Sequence, residues 1–215
     1  MDHLKEHKGL VVASILVTLL PMVVGLILWD RLPEQLAIHF GVDGQADGWA
    51  GKAYAVFSMP LFLAAMQGLC LGMTRWDPKR RNIKGKPMGL ILGICPVVSL
   101  LTAYLTYGTA LGMDLDVNFL VLLVLGVLLL AVGNYLPKCE PNYTVGIKLP
   151  WTLHDEENWT YTHRLAGKVW SVGGLAVILT AFLRNIWLLL AIVLVVVLVP
   201  AVASYRYYKA HRRDD

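Results

Sequence analysis

The sequence predicts an all-α, polytopic integral membrane protein with six transmembrane helices and with both termini in the cytoplasm. Hydrophobic residues make up 57% of its 215 positions and charged residues only 16%, whereas soluble domains carry charge at about a quarter of theirs. The apolar residues gather into six long runs that contain no Asp, Glu, Lys, Arg or His. Lipid admits only helices or closed barrels, because every backbone polar group must be satisfied internally. Runs this long and unbroken argue for helices. The Lys and Arg residues are also unevenly shared between the segments that join the runs.

Gly9–Trp29 is the first run, about 21 residues and long enough to cross a bilayer. It is too long for the apolar core of a cleaved signal peptide, and no A-x-A-like site follows it, so it reads as a retained helix. Pro21 predicts a kink in it. Asp30–Lys52 is polar and rich in glycine, with Asp47-Gly48 as a turn dipeptide. Ala53–Met73 is the second span. Arg75–Lys86 follows, carrying Arg75, Lys79, Arg80, Arg81, Lys84 and Lys86. Pro87–Leu111 is the third span, with Pro87 suited to a first helical turn. A short acidic turn, Gly112–Val117, leads into the fourth span, Asn118–Tyr135. The long polar interval comes next. Val169–Leu183 is a short fifth span, Arg184-Asn185 a tight turn, and Ile186–Ala203 the sixth span.

Six spans place both termini on one side. That side collects the N-terminus, the Arg75–Lys86 loop, the polar interval and the C-terminal tail, with 16 Lys and Arg between them, and the other side holds only Arg31, Lys52 and Arg184. Basic residues accumulate on the cytoplasmic side of a membrane protein, so the termini and the polar interval are expected inside and Asp30–Lys52 outside. Trp29, Trp49, Trp76, Trp170 and Trp187, with Tyr205, Tyr207 and Tyr208, fall near the span ends as interfacial anchors do.

The absence of ionisable residues within the runs argues against an ion-coupled transporter and against an intramembrane protease, both of which need such groups at depth. Gln67 is expected to make a helix–helix hydrogen bond, and Gly89 and Gly93 to allow close helix packing. Cys70, Cys95 and Cys139 have no spacing that suggests disulfides or a zinc site. No metal and no cofactor are expected.

The outer segment LPEQLAIHFGVDGQADGWAGK holds His39, Asp43 and Asp47. Their spacing does not match a calcium-binding EF-hand loop. Recognition suits the segment better. His39, Phe40, Asp47 and Trp49 are its candidate residues for an extracytoplasmic ligand, aromatic groups being the usual anchors of an interface.

The polar interval Gly133–Lys168 holds Pro137, Pro141 and Pro150, which predict an extended, turn-containing segment up to Trp151. Thr152-Leu153-His154-Asp155 has the T-x-x-D form of a helix start, predicting a helix from about Leu153 that runs into the fifth span. At 3.6 residues per turn, Glu156, Glu157, Thr160, His163, Arg164 and Lys168 share one face, and Trp159, Thr162, Ala166, Val169 and Trp170 the other. The first face is expected to meet cytoplasm or a partner. His154, Glu157 and His163 lack the spacing of a zinc protease, and no Ser-His-Asp pattern is present. No catalytic residue is assigned. The basic run at Arg75–Lys86 reads as a topology signal with contact to anionic lipid rather than to nucleic acid.

Several of these residues carry a resemblance. Gly133-Asn134, Asn142-Tyr143, Gly146-Ile147, Pro150-Trp151-Thr152-Leu153, Glu157, Trp159, Thr162 and Arg164 resemble the signature of the SdpI family, polytopic bacterial membrane proteins named for an immunity protein against a secreted toxin that delays sporulation. Leu32-Pro33, His39-Phe40, Gly44, Asp47-Gly48 and Lys52 resemble a short domain of unknown function that often precedes that signature. The resemblance implies an N-terminal region, residues 1–73, with its extracytoplasmic loop at 30–52. It further implies an SdpI-like region, residues 74–215, with its cytoplasmic signature loop at 136–168. It implies a multi-pass protein of the bacterial plasma membrane that protects the cell from a secreted peptide toxin. It also implies a receptor that holds a soluble transcriptional repressor at the membrane. Thr152, Glu157, Trp159, Thr162 and Arg164 are then the candidate residues for that cytoplasmic partner. The alternatives are a membrane enzyme, metal-dependent or not, that uses the loop histidines and carboxylates, and a transporter of a small molecule or peptide.

Overall fold

A computed structural model describes residues 8–83, 86–183 and 185–211. Six of its helices are long and apolar enough to cross a membrane. They are α1 (Lys8–Ile27), α2 (Lys52–Trp76), α3 (Lys86–Ala110), α4 (Val117–Tyr135), α6 (Glu156–Leu183) and α7 (Ile186–His211), and the short α5 (Pro150–Leu153) precedes α6. A β-hairpin of β1 (Gln35–Phe40) and β2 (Ala46–Gly51) joins α1 to α2. Lys5, Lys84, Arg184, Arg212 and Arg213, used in the charge count, lie outside the described residues. The chain forms two compact units, each discontinuous in sequence. One combines the chain up to Gly72 with Ile91–Val121, and the other combines Met73–Leu90 with the chain from Leu122 onward. Most of α3 groups with the first two spans.

In the first unit, polar side chains in the spans find partners on neighbouring helices. The Thr18 hydroxyl donates to Gln67 Oε1 at 2.8 Å, Gln67 Nε2 donates to Ser14 Oγ, and the Ser14 hydroxyl donates to the Leu92 carbonyl. Ser99 donates to the Thr18 carbonyl at 2.7 Å. Gln67 is fully buried and makes the expected interhelical bonds. An unpaired amide in such surroundings would cost about 1–3 kcal/mol. Leu32, Leu36, Ala55, Val56 and Tyr107 form a buried apolar cluster below the hairpin. The Tyr107 hydroxyl donates to the carbonyl of Pro21 at 3.0 Å. A Cβ at Gly25 would sit 2.7 Å from both the Tyr107 oxygen and Val56, so the helices meet closely here.

The hairpin was not expected from the sequence. Its turn lies at Gly41–Gln45, where Gly44 takes φ +79° and Gly41 N–H donates to the Gln45 carbonyl at 2.8 Å. Asp47-Gly48 is not the turn; both residues are in β2. Gly48 lies opposite His39, whose Cβ leaves no room for a side chain there. Lys52 fastens the hairpin. It is buried, it pairs with Glu34 at 3.0 Å, it donates to the Trp29 carbonyl at 3.2 Å, and it lies 5.3 Å from the Trp29 ring centroid.

In the second unit, α4 and α6 touch backbone to backbone. A Cβ at Gly126 would sit 2.7 Å from the Gly174 carbonyl oxygen, and one at Gly133 would sit 2.6 Å from Ser171 N. Close packing therefore rests on these glycines. At Gly89 and Gly93, where it was expected, an added Cβ meets nothing within 4 Å. As expected, one helix runs from the polar interval into the fifth span: α6 is unbroken for 28 residues from Glu156. Its start is capped by Asp155, whose Oδ1 accepts the N–H groups of Glu157 and Asn158 at 2.9 and 3.0 Å. Thr152, expected to begin this helix, instead lies in α5. Asn185 caps α7 in the same way through Trp187 and Leu188.

Candidate functional site

The polar interval between α4 and α6 is a folded module. Its first fixed point is Asp77, just beyond α2 and buried. Asp77 Oδ2 accepts both the Tyr143 N–H and the Thr144 hydroxyl at 2.8 Å, and Oδ1 accepts the Lys79 N–H at 2.7 Å. Asn82 Nδ2 donates to the Pro141 carbonyl at 2.7 Å. The 77–83 loop is thereby tied to the 140–145 turn. That turn is closed by Asn142, whose Oδ1 accepts the N–H groups of Thr144 and Val145 at 2.9 and 2.7 Å.

The second fixed point is the pair Trp159 and His163 on α6. Trp159 is buried and its indole N–H donates to the Cys139 carbonyl at 2.8 Å. His163 is buried as well. Its Nε2 accepts the Ile147 N–H at 2.9 Å, so the ring proton is on Nδ1, which donates to the Trp159 carbonyl at 2.8 Å. Helical spacing alone put His163 on the charged face. The 139–149 segment covers it instead. Gly146 crosses directly over this pair with φ +122°, and a Cβ there would lie 2.5 Å from His163 Nε2. Burial pushes the Cys139 thiol up to about 11, which keeps it protonated and unreactive at neutral pH.

The third fixed point joins α5 and α6 to α7. The Ser204 hydroxyl donates to Asn158 Oδ1 at 3.0 Å, Asn158 Nδ2 donates to the Ser204 carbonyl at 3.2 Å, and Trp151 Nε1 donates to Ser204 Oγ at 2.9 Å. Trp151 also meets Tyr205 edge-on at 5.3 Å and stacks with Tyr208 at 6.1 Å.

These contacts divide the five residues expected to meet a cytoplasmic partner. Thr152 is buried; its hydroxyl donates to the Ile147 carbonyl at 2.9 Å and accepts the Leu149 N–H at 3.0 Å. Thr162 is buried and donates to Asn158 Oδ1 at 3.0 Å. With Trp159, these side chains face inward and hold the module together. Glu157 and Arg164 are exposed. They line one open groove with Glu156, Tyr161, Lys168 and Tyr207. The Tyr207 hydroxyl donates to Glu157 at 3.4 Å. Of the two histidines weighed as metal ligands, His154 is exposed, and both nitrogens of His163 are already engaged. Among the described residues no three His, Cys, Asp or Glu side chains converge.

On the hairpin, His39 Nδ1 and Asp47 Oδ1 lie 2.5 Å apart, with both side chains exposed. Asp43 turns its Oδ1 to the Gln45 N–H at 3.0 Å, closing the turn. His39 and Phe40 line a cavity of about 370 Å³ within the first unit, and Trp49 is exposed on β2 and does not line it. The structure therefore pairs His39 with Asp47 and sets His39 and Phe40 at the cavity, which neither Asp47 nor Trp49 lines.

Asp77, Asn158 and Ser204 were missed in the sequence. Asp77 carried one local signal, its place between Trp76 and Pro78 at a span end, where Asp-Pro marks a turn.

Fold and site define a polytopic membrane protein with a folded polar module between its fourth and fifth spans. Residues 138–204, from the start of that module to Ser204, match the SdpI/YfhL protein family, and residues 16–64 match a domain of unknown function, DUF1648. The chain thus carries an SdpI/YfhL match over its polar module and last two spans, and it is a multi-pass protein of a bacterial membrane. It is similar to the immunity protein SdpI of Bacillus subtilis (strain 168), with 26% identity over 205 residues, covering 92% of this chain and 95% of that protein. No solved structure matches the chain.

Proposed function

We propose that this protein is a membrane immunity protein that protects its cell against a secreted antimicrobial peptide. The observation that carries this is the end-to-end similarity to a protein named as an immunity protein, over 92% of the chain. In this proposal the hairpin lies outside the cell and the polar module inside, as the 16-to-3 division of Lys and Arg supports. His39, Phe40, Asp47 and Trp49 belong to the surface that meets the peptide. Glu157 and Arg164 belong to the surface that meets a soluble repressor, and Thr152, Trp159 and Thr162 keep that surface in shape. The exposure of Glu157 and Arg164 beside a groove supports the inner half of the proposal. Expression in a sensitive bacterial strain, challenged with the peptides secreted by the source organism, tests it. Higher survival than with the empty vector is expected; equal survival against every such peptide overturns it.

A further inference from the structure

The cavity beside the hairpin has two kinds of wall. Met59 on α2, Ala103 on α3 and Val121 on α4 give it apolar sides. Ser58 and Thr106 also line it, and their hydroxyls make no hydrogen bond among the described residues. His39 spends Nδ1 on Asp47 and has no described partner for Nε2. At about 370 Å³ the cavity sits at the low end of the range of ligand pockets, on the order of 300–1,000 Å³. It has room for a short segment and not for a folded domain.

The hairpin contributes three consecutive residues, Ile38, His39 and Phe40, all from β1 and none from β2. A regular strand presents alternate residues on one face; here Ile38 has no partner in β2 and the register shifts around it and again after His39, so a bulge brings successive residues to the cavity. The sheet has only two strands, so β1 has one unpaired edge. Ile38, His39 and Phe40 make no backbone hydrogen bond among the described residues except to β2. The cavity thus adjoins a bulged stretch of the β1 edge whose backbone groups have no other partner among the described residues.

A hydrocarbon chain would fill the apolar sides but leave the hydroxyls, His39 and the strand edge without partners, which is unfavourable once water is displaced. A small polar solute would leave the apolar sides uncovered. An extended peptide satisfies both, since strand addition supplies backbone hydrogen bonds while alternate side chains enter pockets. We propose that the free edge of β1 and this cavity together receive an extended peptide segment, its backbone pairing with β1 and one apolar side chain seated between Met59, Ala103 and Val121. That the natural peptide is a secreted toxin rests on the function proposed above; the peptide class rests on this geometry.

The test uses the full chain in phosphatidylethanolamine–phosphatidylglycerol nanodiscs and fluorescence anisotropy. The probe is a dansyl-labelled hexapeptide alternating threonine and valine, with one phenylalanine at its centre. Saturable binding is expected. It should weaken at least tenfold when alternate backbone nitrogens of the probe are methylated, and by as much in Ala103→Trp, which fills the cavity. Thr106→Val, which keeps shape and removes one hydroxyl, should weaken it several-fold and serves where the larger substitution perturbs folding. A signal that does not saturate, or equal binding of the methylated probe, overturns the proposal. So does saturable, Ala103→Trp-sensitive binding of dansyl-undecanoic acid in place of the peptide, which makes the cavity a lipid site. Peptide binding without any gain in survival sinks the immunity function alone; survival that Ala103→Trp leaves unchanged, with no peptide binding, sinks this inference alone.

Discussion

Trp159 and His163 stack with ring centroids 4.0 Å apart and planes inclined by 21°, and Gly146 crosses over both. Each ring also holds the segment above it, Trp159 through the Cys139 carbonyl and His163 through the Ile147 N–H. The stack is the floor on which the 139–149 segment is laid.

Replacing His163 by Leu keeps an apolar side chain in place but strands the Ile147 N–H. A buried donor left unpaired costs about 1–3 kcal/mol. The thermal midpoint of the purified protein should fall by several degrees, and protease cleavage between Cys139 and Leu149 should speed up. An unchanged midpoint with unchanged protection would show that the histidine bond does not hold the segment.

Gly146→Ala introduces two faults at once. The φ of +122° is unfavourable for any residue with a Cβ, and that Cβ would lie 2.5 Å from His163 Nε2. Backbone strain of this kind costs about 1–3 kcal/mol, before the steric term. In Gly146→Ala with His163→Ala the clash with His163 is gone, while the strain and a 3.0 Å approach to the Trp159 ring remain, so the double variant should be less destabilised than the sum of the two singles. Additive losses in thermal unfolding would mean that the two residues do not touch.

Asp77→Asn is nearly isosteric, yet every carboxylate contact around Asp77 is a donor. Whichever way the amide turns, its NH₂ group faces an N–H or a hydroxyl. A loss of about 1.5–3 kcal/mol is expected, the range for hydrogen bonds to charged groups. Hydrogen exchange at Tyr143 should quicken markedly relative to the α6 amides. Retained protection at Tyr143 would remove Asp77 as the anchor of the turn.

These residues also mark where the sequence was legible. The six spans followed from uncharged runs, and the bonding of Gln67 from a lone amide among apolar neighbours, because the bilayer imposes both. The hairpin was hidden. Ala46–Gly51 holds two glycines and an aspartate, residues with little strand preference, and it is fixed by Lys52 pairing with Glu34 and by Leu36 entering the core. Helical spacing sorted the side chains of α6 into faces but carried no information on what covers each face. Trp159, Thr162 and His163 turned inward because 139–149 and Ser204 lie over them, and Asp77 anchors that cover from 66 positions away in the chain.

Cys139 gives a pH dependence. Its thiol is pushed up to about 11 by burial, from a starting value of 9.0. The folded module therefore retains the proton where the unfolded chain releases it. The resulting stability is fully present below about pH 9 and is lost as pH rises through about 11. At pH 8 a small maleimide should label Cys139 far more slowly than it labels the unfolded chain. Cleavage between Cys139 and Leu149 should accelerate between pH 9 and 11 in the native protein and less so in Cys139→Ala. Rapid labelling at pH 8 would show that the thiol is not buried in solution.

The proposed orientation makes a last prediction. Asp43 sits in the hairpin turn and Thr160 on the exposed face of α6, and both are accessible. Moving an element boundary by a few residues shifts the 16-to-3 division of Lys and Arg very little, so the positive-inside bias predicts opposite sides for these two positions. With Cys70, Cys95 and Cys139 replaced by alanine, single cysteines at the two positions can be probed in intact cells with a membrane-impermeant maleimide. Asp43→Cys should react at once, and Thr160→Cys only after permeabilisation. The reverse pattern inverts the protein, placing the groove of Glu157 and Arg164 outside the cell and removing the soluble repressor as its partner. Labelling of both positions in intact cells contradicts the assignment of the hairpin and the module to opposite sides.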